Sequence, residues 1–402
     1  MKIFKIMLPV IALLAVGTGC ANKNDVNNNA NKNDVKVAEQ HNNEELLDNA
    51  NRILYEDCIS LNIGAACNSL GYSYSEGRGV KQDYSKANIY YEKACNLNEG
   101  IGCSSLGNSY NFGQGVKKDY SKANIYFEKA CNLNYGGGCI GLGNSYKFGK
   151  SVKQDYSKAN IYYEKACNLD VGMGCDYLGD SYFNGEGVKQ DYKKANTYYE
   201  KACNLNEGIR CIILGNSYYN GHGVKQDYKK ANTYYEKACN LNYGEGCTRL
   251  GYSYYNGHGV KQDYQKTNTY YEKACNLNDG GGCDNLGFAY QLSKVVKQDY
   301  NKAKSYHEKA CNLNYGDGCL SLGVLYFKGL GLRRDMSVAV TYFEKGCYLK
   351  SNIACNNLGI LYENGQGVRQ NRTTAKEYFG KSCDLGNQQG CDSYRKLNEQ
   401  GY

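Results

Sequence analysis

The sequence predicts an all-α fold: a right-handed α-solenoid of helix–turn–helix repeats in which a disulfide staples each repeat junction. Three observations predict it. The 402 residues include 21 Cys, and from Cys95 onward the first Cys of each pair recurs every 36 residues, a period typical of solenoids. Each repeat contains two hydrophobic patterns at helical spacing. The chain has a single Pro, Pro9, so long stretches can be helical without interruption.

The first 43 residues precede the repeats. A basic start is followed by an apolar run at 6–16 that is too short to span a bilayer. Small residues directly before Cys20 are typical of a signal peptide and resemble the lipobox of bacterial lipoproteins. We therefore expect a signal peptide at 1–19, followed at 20–43 by a lipidated Cys20 and a flexible tether. Ordinary signal-peptide cleavage near Gly19 is the alternative.

Each repeat then contains a first helix, a turn and a second helix. In one unit, Cys247, Leu250 and Tyr254 form the apolar stripe of the first helix, and a second stripe runs from Tyr264 to Cys275. A glycine recurs inside every first helix, where it costs about 0.5–1 kcal/mol relative to Ala. This recurrence predicts that a neighbouring helix approaches closely, with the alanines of the second helix at the same contact.

A Gly-x-Gly sequence such as Gly257 to Gly259 predicts the turn, because glycine reaches positive φ at little cost. Asp263 precedes the second helix, where its carboxylate can accept from unpaired backbone N–H groups. Three segments depart from the pattern. Ser151 and the segment Ser293-Lys294-Val295 interrupt the turn glycines, and Arg210 replaces the glycine before a Cys.

The repeats divide the chain into a capped array. We predict an N-terminal capping half repeat at 44–64, nine helix pairs at 65–385 and a C-terminal capping helix at 386–402. Half units at both ends suit a solenoid, because its terminal core faces have no neighbour to cover them.

Two pairings of the twenty repeat cysteines are geometrically possible. A Cys could bond across a repeat junction, as Cys95 with Cys103, or within a helical hairpin, as Cys67 with Cys95. The hairpin scheme leaves Cys58 and Cys391 unpaired, which an exported protein would not favour. We therefore predict the junction scheme, which leaves only Cys20 over. Its ten pairs are Cys58–Cys67, Cys95–Cys103, Cys131–Cys139, Cys167–Cys175, Cys203–Cys211, Cys239–Cys247, Cys275–Cys283, Cys311–Cys319, Cys347–Cys355 and Cys383–Cys391.

Other chemistry is weakly represented. Most Cys pairs enclose seven residues, which fits neither zinc ligands nor a redox Cys-x-x-Cys. His222 and His258 occupy equivalent turns and are expected to be exposed, while His41 and His307 have no matching partners. We expect no metal and no cofactor. A net charge of +8 without an Arg-rich tract does not suggest nucleic acid.

The repeat unit carries a family resemblance. The pattern Leu-Gly-x-x-Tyr-x-x-Gly-x-Gly-Val-x-x-Asp-Tyr-x-Lys-Ala-x-x-Tyr-Tyr-Glu-Lys-Ala, as at Leu70 to Ala94, resembles the Sel-like repeat, a relative of the tetratricopeptide repeat. With its Cys pairs, the chain is similar over about residues 50–395 to the secreted Helicobacter cysteine-rich proteins. That resemblance implies the same junction disulfides. It also implies penicillin binding and weak β-lactamase activity.

Three functions remain open. Solenoids present extended concave surfaces, so the first is an exported scaffold, periplasmic and membrane-anchored or secreted, that binds peptide, protein or peptidoglycan-type ligands. The second is a β-lactam hydrolase, as the resemblance implies, and the third is an envelope structural protein without a discrete ligand. Recognition candidates vary between copies around the Leu-Gly of the first helix. They are Tyr177, Ile213, Arg249, Asn285 and Asn357, with Ser69, Ser105, Tyr72, Asp180, Tyr252 and Phe288.

No catalytic residue can be assigned from the sequence. Serine β-lactamases need Ser-x-x-Lys together with Ser-Asp-Asn and Lys-Thr-Gly. The chain lacks the last two, and its Ser-x-x-Lys is Ser393 to Lys396 in the C-terminal cap. Four scattered His cannot supply the usual zinc ligands. β-Lactams remain candidate ligands, and contact with a membrane is expected only through the lipid anchor.

Overall fold

The computed structural model describes residues 49–292 and 296–402. The predicted signal peptide, Cys20 and tether lie outside the described residues, as does the departure at Ser293-Lys294-Val295. Within the described part of the chain all regular structure is helical, which confirms the α-solenoid.

Within residues 49–292 and 296–402, twenty helices follow one another in antiparallel pairs, with α1 at residues 49–59. The even-numbered helices from α2 to α18 are the first helices of the nine pairs: α2 Gly64–Glu76, α4 Gly100–Phe112, α6 Gly136–Phe148, α8 Gly172–Asn184, α10 Gly208–Asn220, α12 Gly244–Asn256, α14 Gly280–Leu292, α16 Gly316–Lys328 and α18 Asn352–Asn364. The second helices are α3 Tyr84–Asn96, α5 Tyr120–Asn132, α7 Tyr156–Asn168, α9 Tyr192–Asn204, α11 Tyr228–Asn240, α13 Tyr264–Asn276, α15 Tyr300–Asn312, α17 Met336–Tyr348 and α19 Arg372–Asp384. The final helix is α20, Gln388–Glu399.

In each helix pair, an aromatic ring of the second helix packs against the glycine inside the first helix. A Cβ placed on Gly71 would lie 2.7 Å from the ring of Tyr91, so the missing side chain makes room for that ring. The predicted close approach is therefore present, and Ala87 of the second helix lies at the same contact, with its carbonyl oxygen 3.1 Å from the added Cβ. Ala94 packs against Gly102 of the next repeat, where an added Cβ would lie 2.5 Å away. Tyr90 is half-buried and stacks on Tyr74 of the first helix, with ring centroids 5.5 Å apart.

All ten predicted junction disulfides are present among the described residues. In a typical pair, Cys95 and Cys103, the Cα atoms lie 4.5 Å apart and both side chains are fully buried. Each bridge joins the end of a second helix to the start of the next first helix. The sulfurs therefore fill the core at the junction, where the helices offer few large aliphatic side chains.

The turns lock neighbouring repeats together. Gly113 ends its helix with φ 77°, and Gly115 lies so close to the preceding repeat that an added Cβ would be 2.4 Å from the carbonyl carbon of Tyr84. Ser151 takes the same left-handed conformation, with φ 56°. The turn is thus retained without its second glycine.

In six of the described turns, an Asn side chain of the preceding unit holds the turn. Asn88 donates from Nδ2 to the carbonyl of Gln114 at 2.7 Å. The equivalent bond recurs from Asn51, Asn124, Asn160, Asn196 and Asn232. The predicted helix cap is also present, since Asp263 accepts from the backbone N–H of Lys266 at 2.9 Å.

The stack curves with its first helices inside. Successive first helices, such as α4 and α6, touch one another, whereas successive second helices make no comparable contact among the described residues. The inner surface is therefore built from first helices. No helix within residues 49–292 and 296–402 combines the length and the apolarity that crossing a bilayer requires.

Candidate functional site

Three concavities of the inner surface lie on α10, α12 and α14. Tyr252 of α12 lines all three, and their volumes are about 190, 460 and 340 Å³. We call this region the central groove and define it by the residues Asn216, Tyr219, Arg249, Tyr252, Asn285 and Phe288. Since the three concavities share one wall, a single extended ligand could occupy all of them.

The predicted recognition residues divide into two groups. Arg249, Tyr252, Asn285 and Phe288 meet in the central groove. The structure does not bring Ile213, Tyr177 or Asn357 into it, nor Ser69, Ser105, Tyr72 and Asp180, which belong to other repeats. Tyr177 instead packs on Tyr163, with ring centroids 4.9 Å apart.

Sequence reasoning missed Asn216 and Tyr219 of the groove. Asn216 holds the same repeat position as Tyr252, one 36-residue period earlier. The sequence shows that this position varies, but Asn216 is not among the predicted candidates. Tyr219 holds another position that varies among the repeats, and that position is not among the recognition candidates predicted from the sequence. Variation alone could have suggested both residues, but only the stacking of repeats shows which copies adjoin.

The polar groups of the groove differ in their availability. Arg249 pairs through Nη2 with Glu245 at 3.0 Å, and both side chains are about half exposed, 50% and 48%. Asp279 is already committed, because it accepts from Thr248 Oγ1 at 2.7 Å and from the N–H of Gly282 at 2.6 Å. Asn285 makes no side-chain hydrogen bond within the described part of the chain. Its amide and the Arg249 guanidinium are therefore the groups that a ligand would meet.

The tyrosines around the groove remain neutral. Burial raises the pKa of Tyr235 and of Tyr271 well above the ordinary phenol value, and it raises the pKa of Tyr315 to about 12. The Tyr235 hydroxyl donates to Asn216 Oδ1 at 2.8 Å. The groove thus offers rings and uncharged hydroxyls at neutral pH.

His258 extends this aromatic region, contrary to the expectation of an exposed turn residue. Its Nδ1 lies 2.9 Å from the hydroxyl of Tyr219, and its ring stacks on Tyr228 with centroids 5.1 Å apart. His258 is half-buried, whereas His222 is exposed as expected. No three His, Cys, Asp or Glu side chains in residues 49–292 and 296–402 converge as metal ligands would.

Two further polar clusters are internal. Arg210 lies between Asp176 and Asp180, donating to the latter from Nη1 and Nη2 at 3.1 and 3.0 Å. His307, which the sequence left without a partner, is fully buried with Nδ1 2.6 Å from Asp284. It occupies the position of the ring that covers the first-helix glycine in other repeats. Both clusters pair their charged or titratable groups inside the stack and so contribute to packing.

The Ser393–Lys396 pair lies on α20, which packs on α19 at the C-terminal end of the stack. The Lys396 Nζ is 3.7 Å from Glu363 Oε1. This pair is several repeats from the central groove and lines none of its concavities.

A model of the Sel1 repeat matches nine consecutive segments of the chain. They are residues 64–99, 101–135, 137–171, 173–207, 211–243, 244–279, 282–315, 316–351 and 352–387. These segments cover most of the described chain. No curated protein matches the sequence.

Two solved structures show the same architecture, and a third protein of known structure is similar to part of the chain in sequence. A protective antigen of uropathogenic Escherichia coli with an SLR fold is 21% identical with a TM-score of 0.56, covering 92% of this chain and 91% of its own. A Sel1 repeat protein from Oxalobacter formigenes is 21% identical with a TM-score of 0.62, covering 77% of this chain and 89% of its own. Cysteine-rich protein B of Helicobacter pylori is 36% identical with a TM-score of 0.28, covering 33% of this chain and 96% of its own.

Proposed function

Given that this chain belongs to the Sel1 repeat family, we propose that it is an exported interaction scaffold that binds an extended peptide or protein segment in the central groove. Proteins built from Sel1 repeats generally mediate protein interactions. The observation that carries the proposal is the convergence of three concavities on Tyr252. A solenoid with such an inner face binds by shape along several repeats.

The chemistry of the groove suits a peptide backbone. Neutral tyrosine hydroxyls and the Asn285 amide can exchange hydrogen bonds with peptide groups, and aromatic rings supply apolar contact at low entropic cost. Arg249 adds a cation at the rim, where a ligand carboxylate could replace Glu245. The peptide stem of a peptidoglycan fragment carries the same groups and is the finer form of this proposal.

The test is capture of a partner from cell-envelope extract by the purified full chain, with two matched variants. Tyr252→Ala removes the shared wall of the concavities, whereas Tyr72→Ala removes an equally exposed tyrosine at the same position of the first repeat. Tyrosine anchors at interfaces are often worth about 2 kcal/mol, or roughly thirtyfold in affinity. We expect Tyr252→Ala to lose the partner and Tyr72→Ala to retain it. Equal capture by both variants would place recognition elsewhere.

β-Lactam hydrolysis is the alternative function, and it has a direct measurement. We expect the purified chain to hydrolyse a chromogenic cephalosporin far more slowly than about 10 s⁻¹, the typical enzyme rate. Hydrolysis at that rate, unchanged by Ser393→Ala, would reveal a catalytic site that lies outside the serine motif. Slow-turnover binding that Tyr252→Ala abolishes would instead identify a β-lactam as a mimic of the groove ligand.

Export and anchoring complete the proposal. Ten disulfides persist only in an oxidising compartment, which supports export through residues 1–19. We expect Cys20→Ser to move the protein from the membrane fraction to the soluble fraction after a high-salt wash. A wild-type protein that is soluble and begins at an unmodified Cys20 would show plain secretion instead.

A further inference from the structure

Charge is distributed very unevenly over the stack. All nine turns lie at one end of the helices, opposite the disulfides, and form what we call the turn edge. The turn edge runs from the end of each first helix to the third residue of the second. It comprises residues 77–86, 113–122, 149–158, 185–194, 221–230, 257–266, 296–302, 329–338 and 365–374. These segments contain 23 Lys and Arg against nine Asp and Glu, a formal charge of +14, while the other described residues sum to −6.

One cation of this edge recurs in every repeat. This basic row consists of Lys81, Lys117, Lys153, Lys189, Lys225, Lys261, Lys297, Arg333 and Arg369. All nine side chains are exposed, and none forms a salt bridge, a side-chain hydrogen bond or a cation–π contact with another described residue. The fold therefore does not use them. Like charges in a row oppose the folded state unless an external anion neutralises them.

The chain also enters the fold at this edge. The second helices run from the turn edge toward the disulfides, and α1 has the same direction, since it ends at Cys58 of the first disulfide. Asn51 near its start donates from Nδ2 to the carbonyl of Arg78 in the first turn at 2.8 Å. The segment that contains Cys20 is therefore connected to the protein at its basic edge.

We propose that the turn edge is a docking surface for an anionic phospholipid membrane. The basic row is complementary in charge to phosphate headgroups. Each Lys or Arg near an anionic membrane surface adds to the free energy of binding, whatever the surrounding sequence. The entry point of the chain selects a membrane over a soluble polyanion. An anchor on the preceding segment would hold the protein close to a bilayer, and this edge is the face at which that segment joins the fold. The helices would then stand upright on the membrane, and the central groove would open sideways.

Exposed aromatic rings on the same edge support this assignment. Phe112 and Phe148 end α4 and α6 with 66% and 61% of their surface exposed. Lys150 Nζ lies 5.8 Å from the Phe148 ring centroid and 5.5 Å from that of Tyr120. Aromatic rings beside lysines are typical of surfaces that settle at the membrane–water interface.

Vesicle sedimentation of the full chain with Cys20→Ser, which removes any lipid, tests the proposal. We expect the protein to sediment with phosphatidylglycerol-containing vesicles, not with pure phosphatidylcholine vesicles, and to be released by high salt. Replacing Lys81, Lys117 and Lys153 with Gln should lower the partition coefficient by about a hundredfold, at about fivefold for each charge. The matched control replaces Lys93, Lys129 and Lys165 with Gln. It removes the same net charge from the last turns of α3, α5 and α7, at the disulfide end of the stack, so binding should be nearly unchanged.

A fluorescent reporter locates the contact, since the chain contains no Trp. With anionic vesicles, the emission of Phe148→Trp should shift to the blue, while that of Tyr348→Trp should not. Tyr348 is 83% exposed at the disulfide end of the stack. Equal loss of binding in both lysine triples, or a blue shift of both reporters, would overturn the proposal. So would binding to soluble polyphosphate without binding to anionic vesicles.

Discussion

Removal of Arg210 should destabilise the fourth and fifth repeats strongly. Its guanidinium forms ion pairs with the carboxylates of Asp176 and Asp180. The side chains of Arg210, Asp176 and Asp180 are 15%, 17% and 30% exposed. Breaking a buried ion pair from one side costs about 3–5 kcal/mol, because the remaining charge is left unpaired in a poorly solvated site. Since water reaches part of this cluster, we expect Arg210→Ala to cost about 3 kcal/mol at pH 8.

The cost should depend on pH. Burial raises the pKa of Asp176 to about 6 even beside Arg210, with Asp180 adding to the shift, whereas an unfolded Asp titrates near pH 3.9. The folded state therefore binds a proton more tightly, and this carboxyl costs stability as the pH rises from about 4 through 6. Without the guanidinium, the pKa rises further. The loss in Arg210→Ala should thus be smaller at pH 5 than at pH 8.

Urea unfolding at pH 5 and 8, with the disulfides intact, measures the free-energy loss, and hydrogen exchange in α8 and α10 localises it. Arg249→Ala is the matched control, because its pair with Glu245 is half exposed and such helical pairs contribute only about 0.3–0.5 kcal/mol. Adding Asp176→Asn to Arg210→Ala should recover part of the loss. Equal losses in the two arginine variants, or an equal loss at both pH values, would refute the reasoning.

Three other predictions concern the repeat architecture. Alkylation of the unreduced, lipidated protein should add no label by mass measurement, whereas labels at Cys58 and Cys391 would indicate hairpin pairing. Gly251→Ala should lower the free energy of unfolding by about 1–3 kcal/mol through overpacking, because its Cβ would lie 2.7 Å from the Tyr271 ring. Gly281→Ala, whose Cβ meets nothing closer than 3.4 Å, is the control and should cause no loss. Asn160→Ala should lower the free energy of unfolding by about 1 kcal/mol, because it removes the 2.7 Å hydrogen bond to the carbonyl of Glu186 in the next turn. Amide exchange around Glu186 should become faster, and unchanged exchange there would contradict this prediction.

The sequence was sufficient for the features that arise within a repeat or between consecutive ones. Period, helix pairs, the Asp263 cap and the junction disulfides all follow from short-range spacing repeated many times, so errors at one copy are corrected by the others. The mid-helix glycines predicted a close approach at which a second-helix alanine lies, and Ala87 is found there. The ring of Tyr91, which covers Gly71, was not predicted, because the rotation of the two helices decides which larger side chain reaches the glycine.

Only the tertiary structure decided how side chains from different repeats combine. Arg210 was a visible departure in the sequence, but its two carboxylates come from the preceding repeat. The sequence offered Arg249, Asn285, Tyr177 and Asn357 as equivalent candidates for recognition. The stacking of the repeats places Arg249 and Asn285 in the central groove and leaves the other two outside it. The net charge of +8 suggested little. Its concentration on the turn edge emerges because antiparallel helices carry every turn to the same side of the stack.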